Sequence, residues 1–270
     1  MKAETDYAPC ALTIAGSDSG GNAGVQADLR AFHAYGVHGC TVFAALTAQN
    51  PFGVTGIHAV PEEFVAKQLD AVLGVYAIRA LKTGMLAEPG IIETVADRLA
   101  SHPEIAKVID PVMVATSGAK LISDDAIDTL KKRLLPLARL ATPNIPEARV
   151  LANDEAQALS QIDLARKIAA EYGIAVLVKG GHSEGGEAVD ILSDANGSIR
   201  EYVSPRIMNP ISTHGTGCSL AAALAAELAI ARGLADAVAG AKRYVHRAIA
   251  SSHLVGKDCG VLGFVEDAAK

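Results

Sequence analysis

Short apolar runs alternate with amphipathic segments along nearly the whole chain, and this pattern predicts most of the secondary structure. The apolar runs predicted to be strands are residues 11–15, 40–45, 78–82, 107–110, 140–143 and 174–179. The segments with apolar positions at helical spacing are residues 24–35, 61–76, 89–100, 124–135 and 159–172. Regular strand–helix alternation is typical of an α/β fold with a mostly parallel sheet and helices on both faces.

The last third of the chain departs from this alternation. Residues 188–193 and 198–203 flank the turn Asp194-Ala195-Asn196-Gly197 and alternate apolar with polar positions, which predicts a late antiparallel hairpin. Two alanine-rich helices, 217–232 and 235–252, follow. No low-complexity linker or block of charge marks a boundary, so we expect a single domain over residues 1–270.

Composition narrows the class of protein. Half of the 270 residues are apolar and 20% are charged, which excludes a disordered chain. The 24 Lys and Arg against 30 Asp and Glu give a net charge of −6, so we expect no nucleic-acid partner and no membrane partner. The N-terminus has no apolar signal segment, and Glu227 interrupts the most apolar helix, so neither a signal peptide nor a membrane span is predicted.

The four cysteines, Cys10, Cys40, Cys218 and Cys259, are scattered and include no C-x-x-C pair. This spacing argues against a disulfide framework and against a metal framework, and it favours a reduced, cytoplasmic setting.

Candidate chemistry lies just after the strands, because ligands of such sheets bind beyond the carboxyl ends of the strands. The turn at residues 16–24 is rich in glycine, which permits close approach of the backbone to a ligand. It matches neither a Walker A loop nor a dinucleotide fingerprint, and a flexible turn capped by Asp18 or Ser19 explains it equally well. Gln49 could both donate to and accept from an aminopyrimidine or amide, although a simple turn before Pro51 is the plainer interpretation.

Two other residues carry weaker signals. Asp28 lies one helical turn beyond the glycine-rich turn and is by default a solvated helix residue. Met85 follows a strand that ends in glycine, and methionine adapts to flat aromatic ligands but more often belongs to the core.

Two strands are followed directly by acidic positions. Asp110 ends one, and the segment Asn144-Ile145-Pro146-Glu147 follows the next. Carboxylates suit Mg²⁺ shared with phosphates, so a magnesium site is the favoured interpretation. Glu147 could instead be only the capping partner of Asn144.

The strongest signal is Thr213-His214-Gly215-Thr216-Gly217-Cys218, which leads straight into an alanine-rich helix. Backbone N–H groups at a helix N-terminus form an anion site. A cysteine there is expected to have a lowered pKa and to act as a base or nucleophile. Lys179, at the end of another strand, could add a cation beside a phosphate, while His182 and His214 look like ordinary loop histidines.

Together these segments resemble the ribokinase-like small-molecule kinases, and most closely the hydroxymethylpyrimidine/phosphomethylpyrimidine kinases of thiamine biosynthesis. Seven segments carry the resemblance in the order found in that family: AGSDSGGNAGVQADL at 15–29, ALTAQN at 45–50, KTGML at 82–86, DPVMVATSG at 110–118, TPNIPEA at 142–148, KGGH at 179–182 and STHGTGC at 212–218. Each segment alone is weak, but seven in order are highly specific. The resemblance implies a three-layer αβα sandwich.

The resemblance also implies roles for individual residues. The expected substrate contacts are Gly16, Ala23, Asp28, Gln49 and Met85. The expected ATP-binding and anion-hole residues are Thr142, Asn144, Lys179, Thr213, Gly215, Thr216 and Gly217, with Asp110 and Glu147 at Mg²⁺. Cys218 and Lys179 are the expected catalytic residues, and Cys218 stands where most ribokinase-like enzymes carry an Asp base.

The implied activity is ATP-dependent phosphorylation of 4-amino-5-hydroxymethyl-2-methylpyrimidine to its monophosphate and then its diphosphate, and the implied assembly is a homodimer. Asn22, Thr47 and Ser219 depart from the commoner residues of the family, and none of them removes a residue expected to do chemistry. Two alternatives stay open: a pyridoxal kinase of the same subfamily, and a non-catalytic pyrimidine-binding module.

Overall fold

A computed structural model describes residues 7–113, 122–181, 185–266 and 268. The strands are β1 (Cys10–Gly16), β2 (His38–Asn50), β3 (Gly53–Ala59), β4 (Ala80–Thr83), β5 (Ala106–Ile109), β6 (Leu140–Ala141), β7 (Ala175–Val178), β8 (Glu187–Ser193), β9 (Ile199–Pro205), β10 (His253–Gly256) and β11 (Cys259–Val261). The α-helices are α1 (Gly24–Ala34), α2 (Glu62–Leu73), α3 (Pro89–Ala100), α4 (Asp124–Thr129), α5 (Ile145–Leu151), α6 (Gln161–Tyr172), α7 (Thr216–Ala229) and α8 (Leu234–Ala250).

Within the described part of the chain, nine strands form one sheet in the order β3-β2-β1-β4-β5-β6-β7-β8-β9. The strands from β2 to β7 in this order are parallel, and β3, β8 and β9 add antiparallel pairs at the two edges. The predicted late hairpin is therefore confirmed as β8 and β9. Strands β10 and β11 form a separate antiparallel pair, which the sequence pattern did not predict.

The helices cover both faces of the sheet, so the molecule has the three layers that were expected. One core packs α2 to α6 against the first face, with fully buried residues such as Leu69, Ile91 and Leu164. The other core packs α1, α7 and α8 against the second face, around Phe32 and Leu224. Burial of these apolar side chains on both faces is the main force that holds the layers together.

Element boundaries differ from the prediction at the end of β2, at the start of α2 and at the end of α4. Strand β2 was predicted to end at residue 45, but it continues to Asn50 and turns back into β3, whose side chains are mostly exposed. Pro61 caps α2 instead of occupying its first turn. The predicted helix at 124–135 changes after Thr129 into a π-helical turn and then a 3₁₀ turn that contains Pro136.

No helix among residues 7–113, 122–181 and 185–266 is both long and apolar enough to cross a membrane.

Candidate active site

Asp18 organises the glycine-rich turn between β1 and α1. Its carboxylate accepts N–H hydrogen bonds from Gly20, Asn22 and Ala23 at 2.8, 2.9 and 2.8 Å. Burial alone would raise the pKa of Asp18, but the hydrogen bonds from His214 and from these backbone N–H groups outweigh burial and lower the pKa below its ordinary value. An ionised Asp18 therefore fixes the shape of the turn at neutral pH.

The glycine-rich turn contacts the loop that precedes α7, although the two are some two hundred residues apart in sequence. His214 Nε2 lies 3.5 Å from Asp18 Oδ2 and 3.4 Å from Gln49 Nε2. Gly215, the residue that caps α7, has a φ of 88°, and a Cβ atom there would lie 1.9 Å from the carbonyl oxygen of Asn22. This contact brings the first and last motifs of the sequence together.

Gly215→Ala is therefore expected to separate the two loops and to lower catalytic turnover. The substitution places a side chain on a left-handed backbone and against a carbonyl oxygen, a combination that destabilises by more than about 1 kcal/mol. Gly186→Ala is the matched control, because a Cβ at Gly186 would meet nothing within 4 Å. Steady-state kinetics and thermal unfolding of both variants provide the measurement, and equal behaviour of the two variants would contradict the expectation.

The end of β2 and the segment after β4 border the glycine-rich turn. Ser19 Oγ accepts from the N–H of Gln49 at 2.8 Å and donates to its carbonyl at 2.7 Å, so the turn is tied to the strand that carries Gln49. Gly16 donates its N–H to the carbonyl of Met85 at 3.1 Å, and a Cβ at Gly16 would lie 2.7 Å from Met85 Cε. Gly16, Ala23, Gln49 and Met85 therefore lie around the same end of the sheet.

Asp28 does not lie on this surface. Its side chain is fully buried and pairs with the fully buried Lys82, with Nζ–Oδ distances of 3.1 and 3.0 Å. Thr13 Oγ1 donates a further hydrogen bond to Asp28 at 2.6 Å. This geometry does not support the expected direct contact between Asp28 and substrate, because no part of the residue is exposed. The sequence pattern gave no sign that Lys82 would be its partner.

Asp110 and Lys179 meet at the carboxyl ends of β5 and β7. Lys179 Nζ lies 2.9 Å from Asp110 Oδ1, which also accepts a 2.9 Å hydrogen bond from Thr142 Oγ1. Burial alone would lower the pKa of Lys179, but the carboxylates of Asp110 and Glu147 outweigh it and raise the pKa above its ordinary value. Lys179 is therefore a positively charged residue held in place at the carboxyl ends of the parallel strands.

Glu147 lies in the first turn of α5, beside this pair. It forms a capping box with Asn144, in which each side chain accepts the backbone N–H of the other residue at 2.9 Å. Burial raises the pKa of Glu147 to about 7; Lys179 opposes this rise and Asp110 adds to it. The capping interpretation is thus correct as local structure. Asp110 and Glu147 also provide two carboxylates that destabilise each other when both are ionised. A hard cation such as Mg²⁺ would fit this pair of oxygen donors.

The N-terminus of α7 faces this polar group. A Cβ at Gly217 would lie 3.6 Å from Lys179 Nζ and 3.9 Å from Asp110 Oδ2. Thr216 closes the first turn by donating its hydroxyl to the carbonyl of Thr213 at 3.0 Å. A 14-residue helix whose first turn lies beside a lysine and a carboxylate provides a site where an anion and a cation can bind together.

Cys218 lies in the first turn of α7 and is partly buried. The expectation that this position lowers its pKa is wrong. Burial raises the pKa of Cys218, and the nearby Asp28 and Asp110 add to the rise, while Lys82 and the N–H of Gly24 oppose it without reversing it. The Cys218 thiol therefore loses its proton less readily than an ordinary cysteine thiol.

His182 and most of the segment 110–118 lie outside the residues that the structure describes. Among the described residues, the sequence pattern missed the role of Lys82 and the contacts of His214 with Asp18 and Gln49. The sequence pattern indicates Asp18 only as a possible cap of the turn, and nothing local marks His214 as its partner.

Comparison with known proteins shows which family and which solved structures this chain is similar to. The family described as phosphomethylpyrimidine kinase matches residues 18–263. The hydroxymethylpyrimidine/phosphomethylpyrimidine kinase of Rhizobium meliloti is 46% identical over 247 residues, which cover 90% of this chain and 91% of that protein. The thiamine biosynthesis bifunctional protein ThiED of Geobacter sulfurreducens is 46% identical over 255 residues, which are 94% of this chain but only 52% of that longer protein. The ADP complex of Bacillus subtilis pyridoxal kinase superposes with a TM-score of 0.86 at 32% identity and covers 96% of this chain and 98% of its own.

Proposed function

The chain belongs to the phosphomethylpyrimidine kinase family, and we propose that it phosphorylates 4-amino-5-hydroxymethyl-2-methylpyrimidine with ATP and then phosphorylates the resulting monophosphate. The observation that carries this proposal is the meeting of the α7 N-terminus with Lys179 and Asp110 at one edge of the sheet. Phosphoryl transfer depends mainly on positioning and on stabilisation of the charge that spreads over the phosphoryl oxygens.

The first transfer uses three parts of this edge. The N–H groups of Gly215, Thr216 and Gly217 hold the γ-phosphoryl oxygens, and Lys179 neutralises part of their charge. The Cys218 thiolate accepts the hydroxyl proton while the hydroxyl oxygen bonds to the γ-phosphorus and the bond to the β–γ bridging oxygen breaks, which releases ADP. Thr142, Asn144 and Thr213 lie around the nucleotide.

Asp110 and Glu147 would hold Mg²⁺, which when bound neutralises further charge on the phosphates. The buried position of both carboxylates supports this assignment, because each is only a few per cent exposed, at 2% and 5%.

The glycine-rich turn, the end of β2 and the segment after β4 bind the pyrimidine. Gln49 has an amide that can pair with the amino and ring nitrogen groups of the substrate, and Gly16 and Ala23 allow the ring to approach the backbone. Met85 packs over Gly16 and provides an adaptable apolar surface for the flat ring.

Phosphorus-31 NMR of the purified protein with MgATP and hydroxymethylpyrimidine tests the proposal. We expect a monophosphate signal that is replaced by a diphosphate signal. A monophosphate that never advances would contradict the second transfer, and folded protein that forms no phosphorylated pyrimidine would contradict the whole proposal.

A second candidate is pyridoxal kinase activity, because the structure superposes closely on the Bacillus subtilis pyridoxal kinase. Pyridoxal is also a flat heteroaromatic alcohol. Parallel assays with pyridoxal and with the pyrimidine alcohol separate the two, and a higher kcat/KM for pyridoxal would favour the second candidate. The opposing alternative, a non-catalytic pyrimidine-binding module, predicts binding of the pyrimidine without phosphate transfer.

We also propose that the chain acts as a single domain, in the cytoplasm, and as a homodimer. The four cysteines are free thiols, as expected in a reducing compartment. The β2–β3 hairpin at the sheet edge exposes Leu46 and Ile57, which are 48% and 46% accessible and suit contact with a second copy. Sedimentation of the wild type and of Leu46→Glu measures the assembly.

A further inference from the structure

Cys10, His38 and Cys40 lie together at the amino ends of β1 and β2. In the parallel register of these strands Cys10 is opposite His38, and Leu12 is opposite Cys40. Residues opposite each other in a parallel pair, and those two positions further along, point to the same face of the sheet. The side chains of Cys10, His38 and Cys40 therefore share one face, and their ligand atoms lie within 4.8 Å of one another.

The distance between the two sulfur atoms matches that of a metal site. Zinc–sulfur bonds of about 2.3 Å at a tetrahedral angle place two sulfur ligands roughly 3.8 Å apart. Cys10 Sγ and Cys40 Sγ are 3.7 Å apart. Two thiolates would need almost no movement to bind one cation.

The imidazole of His38 closes the cluster on the solvent side. The two cysteines are 5% and 7% exposed, while His38 is exposed and stacks on Tyr76, with ring centroids 5.6 Å apart and planes 13° from parallel. The stacking on Tyr76 restricts the orientation of the His38 ring. Two soft thiolates with one imidazole select a soft or borderline cation such as Zn²⁺ over Mg²⁺.

This cluster lies away from the candidate active site at the carboxyl ends of the parallel strands. Strand β1 begins at Cys10 and ends at Gly16, so the cluster and the glycine-rich turn lie at opposite ends of a seven-residue strand. A strand of that length spans roughly 20 Å.

We propose that Cys10, His38 and Cys40 form a binding site for a soft divalent cation such as Zn²⁺, with water as the fourth ligand, which ties the start of β1 to the start of β2. The cation displaces the thiol protons to solvent when it binds. Its role is structural, since the site lies far from the transferring phosphoryl group.

Cobalt titration of the full chain tests the site. With Co²⁺ alone we expect one equivalent per chain, with thiolate-to-cobalt charge-transfer bands and the visible bands of a tetrahedral site. Zn²⁺ should displace the cobalt and raise the midpoint of thermal unfolding.

Variants decide whether these three residues are the ligands. His38→Gln and Cys40→Ala should each weaken zinc binding by roughly a hundredfold or more, because loss of even an outer partner of a ligand can cost up to that factor. Cys259→Ala is the matched control, since it removes a thiol from the separate β10–β11 pair. His38 is exposed, so His38→Gln keeps the folded state available, and its retained kinase activity shows that the protein is intact. Absence of the charge-transfer bands, or unchanged zinc affinity in His38→Gln and Cys40→Ala, would overturn the proposal and leave a pair of hydrogen-bonded thiols.

Discussion

Cys218→Ala is expected to slow phosphorylation of the pyrimidine alcohol by roughly a hundredfold to ten-thousandfold, the range that a positioned base contributes. Phosphorylation of the monophosphate should slow much less, because its phosphate is already mostly deprotonated at neutral pH, with a second pKa of about 6. The acceptor oxygen of the second transfer therefore needs no base. Steady-state kcat/KM values of the variant on the two substrates measure this difference.

Cys259→Ala is the control, because Cys259 lies on a separate strand pair and both rates should stay at the wild-type level. An equal loss on the two substrates in Cys218→Ala would mean that the thiol only packs against the anion site and does not accept a proton.

The pH profile gives the same test a second readout. A general base works in its deprotonated form, and burial raises the pKa of the Cys218 thiol. The rate of the first transfer should therefore increase with pH, by about tenfold per pH unit while the pH is below that pKa. Cys218→Ala should remove this increase, and the second transfer should show little of it in either protein.

The alternation of apolar and amphipathic segments was sufficient to predict which segments of the chain form the parallel strands and most of the helices. It succeeded where burial follows the pattern, as in α3, whose bounds of Pro89–Ala100 match the prediction. It failed for β3, because Gly53–Ala59 lies at a sheet edge and none of its side chains is buried. An edge strand need not be apolar, so its hydrogen bonds to β2 leave no mark in the hydrophobic pattern.

The candidate site was predictable where a residue follows a strand directly. Asp110 and Lys179 were predicted on that basis, and the structure brings their charged atoms within 2.9 Å. Contacts between distant segments were not predictable in the same way. The approach of His214 to Asp18, and the burial that raises the pKa of Cys218, depend on how the last loop packs on the first turn.

The buried pair of Asp28 and Lys82 is another contact between distant segments that the sequence pattern did not predict. It supports the largest stability prediction. Both side chains are fully inaccessible, and a buried charge without its partner is strongly unfavourable. Asp28→Leu and Lys82→Met should each lower the free energy of unfolding by about 3–5 kcal/mol. The double variant should recover most of this loss, since apolar side chains of similar size can replace a buried ion pair at little cost. Urea unfolding of the four proteins gives this cycle, and losses that simply add would contradict it.

The exposed pair of Arg98 and Asp70 provides the control, because its side chains are 41% and 58% accessible and solvent screens them. Asp70→Asn should leave the unfolding midpoint almost unchanged.

The folded double variant Asp28→Leu/Lys82→Met isolates the electrostatic effect of this buried pair on Cys218. Lys82 opposes the rise in the pKa of Cys218 more strongly than Asp28 adds to it, so removal of both charges should raise that pKa further. The first transfer should consequently be slower at neutral pH and should recover as the pH increases, while the second transfer stays close to wild type. If the double variant folds and its pH profile matches the wild type, Lys82 holds the core together without acting on the thiol.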